Sequence, residues 1–398
     1  MEIINAVNFA PFPQRGVLGS EDAKRSLAAM REDTGASHVI LTPPGIQGTP
    51  QSEEIVFGEY GPEDGELRSF IAFARSLGLK VILKPTVNCE NGVWRAFINF
   101  FDKDVCCEPK WSVWFAAHER FQLHYAKIAE ESGCVMFITG CEMVMAERRE
   151  SQWRDLVAKV KRVFSGPVSY NTDKYQEDNV AWWDCVDVIS SSGYYPVGAW
   201  ETQLDRIERV VKKYGKPFFF AETGCMSTSG SPNIPNKWDL RGEPDAAGQA
   251  AWYRDMFARC KKRSWVEGFG LWSWPWQLPP AETAAKDSGY SLCGKPACTI
   301  VKEHFVTLAP AECPCGVPLR GRKPFGFSSH CESCPDLNPT PILAENQRQA
   351  GRIPSCGGGA SPSGAQCRRM TVFCLPGTMP DWGGMNRGAI SDGYERDE

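Results

Sequence analysis

The stretch Ile3-Ile4-Asn5-Ala6-Val7-Asn8 and its continuation Phe9-Ala10-Pro11-Phe12-Pro13-Gln14-Arg15-Gly16 decide between two α/β layouts. The first six residues form a short apolar run of strand type. In a doubly wound nucleotide-binding sheet a glycine-rich turn would follow, because the backbone must approach a pyrophosphate closely. Here the turn holds two prolines and reaches its first glycine only at Gly16. No phosphate-loop pattern occurs elsewhere in the chain.

Seven more short apolar runs follow: Val39–Thr42, Val81–Lys84, Val135–Thr139, Val168–Tyr170, Val186–Ser190, Phe218–Ala221 and Phe269–Trp272. Amphipathic stretches separate them, at Glu21–Glu32, Pro62–Leu77, Trp114–Ser132, Glu150–Phe164, Thr202–Tyr214 and Ala246–Arg263. The segment before the sixth run, Lys174–Asp184, is shorter and more polar. Strand and helix alternating eight times predicts a (β/α)8 TIM barrel over residues 1–306.

The remaining residues, 307–398, change character. They hold 11 Pro, 13 Gly and 7 of the 17 Cys. That Pro and Gly density is about double the barrel's and reaches the level of low-complexity sequence. We expect a low-order, disordered tail. Its Cys313-Pro314-Cys315 and Cys331-Glu332-Ser333-Cys334, with His330 beside them, raise a zinc alternative. A four-cysteine zinc ribbon wants at least two residues inside each cysteine pair, and the first pair has one. The ten earlier cysteines show no regular spacing and read as free thiols.

Composition excludes other classes. Lys and Arg number 44 against 48 Asp and Glu, a net charge of −4, so no basic surface for nucleic acid is expected. No run approaches the length of a membrane helix. The start, Met1-Glu2-Ile3, lacks the basic and apolar regions of a secretory signal, so a cytoplasmic protein is expected.

Catalytic groups of a barrel sit at the C-terminal ends of its strands. The fourth strand ends Ile138-Thr139-Gly140-Cys141-Glu142 and the seventh Phe220-Ala221-Glu222-Thr223. Each closes an apolar run with one glutamate. Two facing carboxyls about 5–5.5 Å apart are what a retaining glycosidase needs. A strand-end Glu also caps helices and makes ion pairs, but two at complementary barrel positions favour chemistry. Aromatic usage agrees: 13 of 14 Trp precede residue 307. Most of these are core residues, Trp153 and Trp252 among them. At the eighth strand end, Trp272 and Trp274 alternate and are expected on one face, Trp274 the better placed to line the mouth. Indole packs well on the C–H face of a sugar. Tyr194 or Tyr195, after the sixth strand, can donate to the carboxylate of Glu222. Asn88, Trp94 and Arg95, beyond the third strand, are candidates for binding hydroxyls or stacking on a ring, as polar loop residues often are.

Residues 1–305 resemble glycoside hydrolase family 113, β-mannanase-like barrels of clan A. The resemblance rests on the order of Leu79-Lys80-Val81-Ile82-Leu83-Lys84-Pro85, Gly92-Val93-Trp94-Arg95, Phe137-Ile138-Thr139-Gly140-Cys141-Glu142, Gln152-Trp153-Arg154, Gly193-Tyr194-Tyr195-Pro196, Lys216-Pro217-Phe218-Phe219-Phe220-Ala221-Glu222-Thr223-Gly224 and Gly268-Phe269-Gly270-Leu271-Trp272-Ser273-Trp274. It implies Glu142 as acid/base, Glu222 as nucleophile, Tyr194 or Tyr195 orienting the nucleophile, and Trp272 or Trp274 flooring the cleaved sugar's subsite. It also implies an oligosaccharide substrate, retention of configuration, and no metal or organic cofactor. Clan A enzymes commonly carry Asn before the acid/base; this chain has Cys141, a weak hydrogen-bonding group where a sugar 2-hydroxyl is read. An acidic or His residue expected near Thr86–Asn88 is absent. Mannosides are the expected substrates, with xylosides, glucosides or galactosides as alternatives, and a non-catalytic carbohydrate-binding barrel as the rival class. In the expected mechanism Glu142 keeps a raised pKa.

Overall fold

The computed structural model describes residues 2–308, apart from Ala285. Eight strands form the barrel: β1 (Ile4–Phe9), β2 (His38–Leu41), β3 (Lys80–Leu83), β4 (Met136–Cys141), β5 (Val168–Thr172), β6 (Val188–Ser192), β7 (Phe218–Thr223) and β8 (Val266–Trp274). They close in sequence order, each parallel to its neighbours, with β8 returning to β1. Each overlaps one predicted run. The expected tail from 307 begins inside the helix Pro296–Leu308; beyond Leu308 it lies, with its cysteine pairs, outside the described residues.

The inside of the barrel is a small apolar plug. Ile4 and Ala6 of β1, Met136 and Ile138 of β4, and Phe219 and Ala221 of β7 point inward at the two-residue period of a strand, joined by Ile40, Ile82 and Val188. The alternate positions, such as Val7, Val39, Val81 and Phe220, face outward into a larger core beneath the helices. Those helices include α1 (Glu21–Thr34), α2 (Asp64–Ser76), α3 (Trp111–Glu131), α4 (Glu150–Val163), α5 (Trp200–Tyr214) and α6 (Ala246–Cys260). Ser20 caps α1 by accepting from the Ala23 N–H, and Gly35 ends it in a left-handed turn at φ 68°. Trp153 and Trp252 are fully buried, as expected. Trp153 stacks on Trp182 at 5.0 Å, and Trp252 donates to the Tyr195 carbonyl. Burying each such ring contributes about 2–3 kcal/mol.

Between β5 and β6 the described chain makes no α-helix, only a 3-10 turn at Trp183–Cys185. The polar segment Lys174–Asp184 has no apolar stripe to lay on the barrel. Trp182 and Trp183 cover that part of the core instead. A second sheet rises above β2 and β3. Its strands Pro44–Gln47 and Thr86–Cys89 run parallel, and Val56–Phe57 pairs antiparallel on the outer edge. This sheet launches the loop that carries Trp94 and Arg95. Among the described residues no helix is long and apolar enough to cross a membrane. The ten described cysteines are unpaired, and only Cys106 and Cys107 are exposed.

Candidate active site

The two glutamates sit at the mouth because both strands lose their regular alternation as they end. In β4 the register shifts between Ile138 and Cys141, at Gly140 with φ 139°. A Cβ there would come within 3.0 Å of the Trp153 and Tyr170 rings, so the position requires glycine. Glu142 follows in the left-handed region at φ 52°. In β7 the register shifts between Phe220 and Glu222. Beneath it, the Asn8 amide of β1 donates to the carbonyls of Ala221 and Gly270, each at 3.1 Å, tying three strands together just below Glu222.

Both carboxylates are nearly buried, at 6% and 4% exposure, and each has a cation. Glu222 pairs through Oε1 with the ammonium of Lys84, which has no solvent exposure at all. The same oxygen accepts from the Cys141 thiol at 3.2 Å, and Oε2 accepts from the Tyr194 hydroxyl at 3.3 Å. Glu142 accepts at Oε2 from Arg95 at 2.9 Å and from the Trp94 indole N–H at 3.1 Å. Its Oε1 accepts from the Ser192 hydroxyl at 2.7 Å. One oxygen of each carboxyl lies within 4.8 Å of the other. That is the short separation of a direct displacement; an inverting pair stands about 6.5–9.5 Å apart to admit a water.

Burial pushes the Glu142 carboxyl up, but Arg95, the Ser192 hydroxyl, Lys174 and the Trp94 N–H together outweigh it, and the group stands below its ordinary value. The raised value expected for Glu142 is therefore not met in the free site: the four partners favour its charged form. Burial first, and then the neighbouring Glu222, push the Cys141 thiol well up, so it is a protonated donor.

Cys141, Glu142 and Glu222 are the one described group of three whose side-chain atoms converge enough to share a metal ion. Lys84 and Arg95 already supply the positive charge there, and a protonated thiol is a poor ligand. The residues suit a charge-balanced organic site better than a metal centre.

Other expectations divide. Tyr194 reaches the Glu222 carboxylate, whereas Tyr195 turns the other way and its hydroxyl donates to Glu177 at 2.6 Å. Trp272 is half-buried at the mouth, with the Lys84 ammonium 5.6 Å from its ring centroid and Phe12 against it. Trp274 does not line the mouth. It is fully buried, and its indole donates to Ser26 on α1. The reason is a bulge: Asn8 pairs with Trp272 and Phe9 with Trp274, so Ser273 is an extra residue that breaks the alternation. Asn88 lies half-buried on the second sheet, opposite Ile46, and is not among the partners of either carboxylate. Sequence reasoning missed Lys84 and Ser192 as partners. Lys84 carried a visible signal, a charge ending the apolar run Val81-Ile82-Leu83 just as the glutamates end theirs.

A closed parallel barrel presenting two close glutamates from β4 and β7, each beside its own cation, is the arrangement of a glycoside hydrolase. The family model of Glycoside Hydrolase Family 113 matches residues 7–295, and the chain belongs to that family. A solved family 113 β-1,4-mannanase complex is 52% identical, with TM-score 0.76, covering 77% of this chain and all of that one. The family 113 β-mannanase from Alicyclobacillus acidocaldarius, in complex with ManMIm, is 37% identical with TM-score 0.75, covering 78% of this chain and 99% of that one. A β-D-glucuronidase from Dictyoglomus thermophilum, 14% identical with TM-score 0.52, shares the fold over 77% of this chain and 50% of its own. The curated proteins give no match.

Proposed function

We propose that the protein is a retaining β-1,4-mannanase acting on β-linked mannooligosaccharides, with Glu222 as nucleophile and Glu142 as acid/base. The observation that carries the reading is the separation of the two carboxyls, within 4.8 Å, together with their different partners. Lys84, Cys141 and Tyr194 all donate to Glu222 and hold it in place. The mannan specificity rests on the similarity to the two β-mannanases.

In the first step Glu222 attacks the anomeric carbon while Glu142 gives its proton to the leaving oxygen. Glu142 must then be protonated, and the free site works against that. A sugar seated on Trp272 presents hydroxyls to Arg95 and Trp94 and expels water. The hydrogen bonds now spent on Glu142 turn to the substrate, burial dominates, and its pKa rises. In the second step Glu142 takes a proton from water as the water oxygen attacks the anomeric carbon; the ester bond to Glu222 breaks and the sugar leaves. The thiol of Cys141 stands where the clan commonly has Asn and serves here as a donor to Glu222.

The test is hydrolysis of β-1,4-mannooligosaccharides followed by NMR of the first-formed anomer. Retention gives the β-anomer first; the α-anomer first would refute the double displacement. Glu222→Ala is expected to lower kcat roughly 10³-fold or more, and near-normal turnover in that variant would remove Glu222 from the nucleophile role.

A further inference from the structure

The neighbouring strand β5 holds much of the turn that presents Glu142. The Glu142 N–H donates to the Asn171 carbonyl at 2.7 Å. The next N–H, of Met143, donates to the Tyr170 hydroxyl at 3.1 Å. That hydroxyl in turn donates to Glu147 Oε1 at 2.8 Å, and Thr172 donates to the same oxygen at 2.6 Å. Glu147 closes the circuit: its own N–H returns to the Met143 carbonyl at 3.0 Å, and its carbonyl accepts from the Trp182 indole. Three successive β5 residues thus grip the turn from Glu142 to Glu147. Tyr170 has no exposure and Glu147 has 4%. Neither is among the hydrogen-bond partners of the two carboxylates: Glu142 is held by Arg95, Trp94 and Ser192, and Glu222 by Lys84, Cys141 and Tyr194.

This grip has a purpose beyond packing. Glu142 sits at φ 52°, a conformation that costs a residue bearing a Cβ about 1–2 kcal/mol and persists only when its surroundings impose it. The Tyr170 hydroxyl bonds the peptide directly after that residue, and the Tyr170 ring covers Gly140, two residues before it. We propose that Tyr170 and Glu147 form a positioning relay for the acid/base: Tyr170 fixes the left-handed turn at Glu142, and the buried Glu147 side chain fixes the Tyr170 hydroxyl. The inference rests on the glycosidase reading of Glu142. It assigns work to two residues that do not meet the sugar. Burial raises the Glu147 carboxyl to about 8, against the lowering by Thr172 and Tyr170, so at neutral pH it is an uncharged acceptor. A glutamine amide oxygen can take that part; an alanine cannot.

The relay predicts losses that depend on the leaving group. Proton donation matters most for a sugar leaving group and least for a dinitrophenolate, whose oxygen needs no proton. Values of kcat/KM for a mannooligosaccharide and for a 2,4-dinitrophenyl β-mannoside would be compared in four full-length proteins: wild type, Tyr170→Phe, Glu147→Ala and Glu147→Gln. A turn displaced by a fraction of an ångström should cost Tyr170→Phe and Glu147→Ala about 10–100-fold on the oligosaccharide, mostly in kcat. The loss on the aryl substrate should be at least about tenfold smaller, since only the acid step is harmed. Glu147→Gln should recover most of the loss of Glu147→Ala. Equal losses on both substrates, or equal losses in the two Glu147 variants, would overturn the relay and leave the glycosidase reading standing. Should Tyr170→Phe fail to fold, the contrast between the Glu147 variants decides alone. A wild type that cleaves neither substrate would overturn the glycosidase reading, and the relay with it.

Discussion

Lys84 places a whole ammonium group out of contact with water, and taking such a charge from solvent costs several kcal/mol unless a partner offsets it. Its partner is Glu222, so removing the lysine leaves the buried carboxylate with Cys141 and Tyr194 as its hydrogen-bond donors among the described residues. Breaking one side of a buried pair costs about 3–5 kcal/mol. Lys84→Met is therefore expected to lower kcat/KM about 10²–10³-fold and to lower the melting temperature; steady-state kinetics with a thermal melt checks both. Lys84→Arg should not restore activity, because a planar guanidinium cannot replace a compact ammonium beside Trp272. At this scale the sequence was partly legible. Glu142 and Glu222 could be read because two acids end apolar runs at complementary barrel positions, where one alone would as readily cap a helix or make an ion pair. Lys84 ended a run the same way, but a lysine stem commonly lies on apolar residues with its head in water, so the pattern did not mark it. Tyr194 and Tyr195 are adjacent, and nothing in their order says which faces inward. Trp274 was misplaced because one extra residue in β8 reverses the faces, and a strand of Phe, Leu, Trp and Ser looks the same with or without it.

Elements carry the site through their irregular ends. Gly140 has φ 139°, and a methyl group added there would press on Trp153 and Tyr170 at 3.0 Å. Strain and clash act together, the first alone being worth about 1–3 kcal/mol. Gly140→Ala is expected to destabilise the fold by about 2 kcal/mol or more, read as a lower denaturant midpoint at unchanged slope. It should also lower turnover, because the same peptide aims Cys141 and Glu142. An unaltered midpoint would mean that the strand end relaxes freely and does not fix the turn. Element existence was readable from apolar runs of strand length between amphipathic helices. The function of β5 was not. Tyr170-Asn171-Thr172 reads as an ordinary alternating strand, and only the fold brings all three against the turn after β4. The missing helix before β6 was foreshadowed by the polarity of Lys174–Asp184, while the second sheet was invisible because its strands are only two to four residues long.

The whole barrel was legible because closure needs only eight parallel strands with alternating inward residues, and that periodicity survives any rearrangement at the mouth. What the sequence could not show is how the closed fold treats its titratable groups. Burial lowers His38 to about 4, with the charges of Glu2 and Lys80 adding smaller opposing effects. Burial alone lowers His118 to about 3, and burial with Lys261 lowers His304 to about 4. Below pH 6.5 the unfolded chain binds protons that these three native imidazoles refuse, so stability rises with pH from about 4 to 6.5. Two carboxyls act in the opposite sense. Burial raises Glu147 to about 8, and burial with the charge of Glu142 raises Asp173 to about 7. The native state keeps protons there that the unfolded chain releases, so stability falls as pH rises towards 7 and 8. Three histidines against two carboxyls leave a net rise of stability with pH below 6.5, and the lowered Glu142 carboxyl adds to it at the acid end. Above pH 6.5 only the carboxyls remain, and the slope turns negative. Calorimetric melts from pH 4.5 to 8.5 should therefore peak near pH 6.5. His118 offers the sharper check. It is stacked on Trp114 at 4.8 Å, and neither ring nitrogen has a hydrogen-bond partner among the described residues. In His118→Leu one of the three histidines is gone, so the melting temperature should rise less steeply between pH 4.5 and 6.5 than in the wild type while still declining above. A variant that keeps the wild-type slope on the acid side would show that His118 titrates normally in the folded barrel.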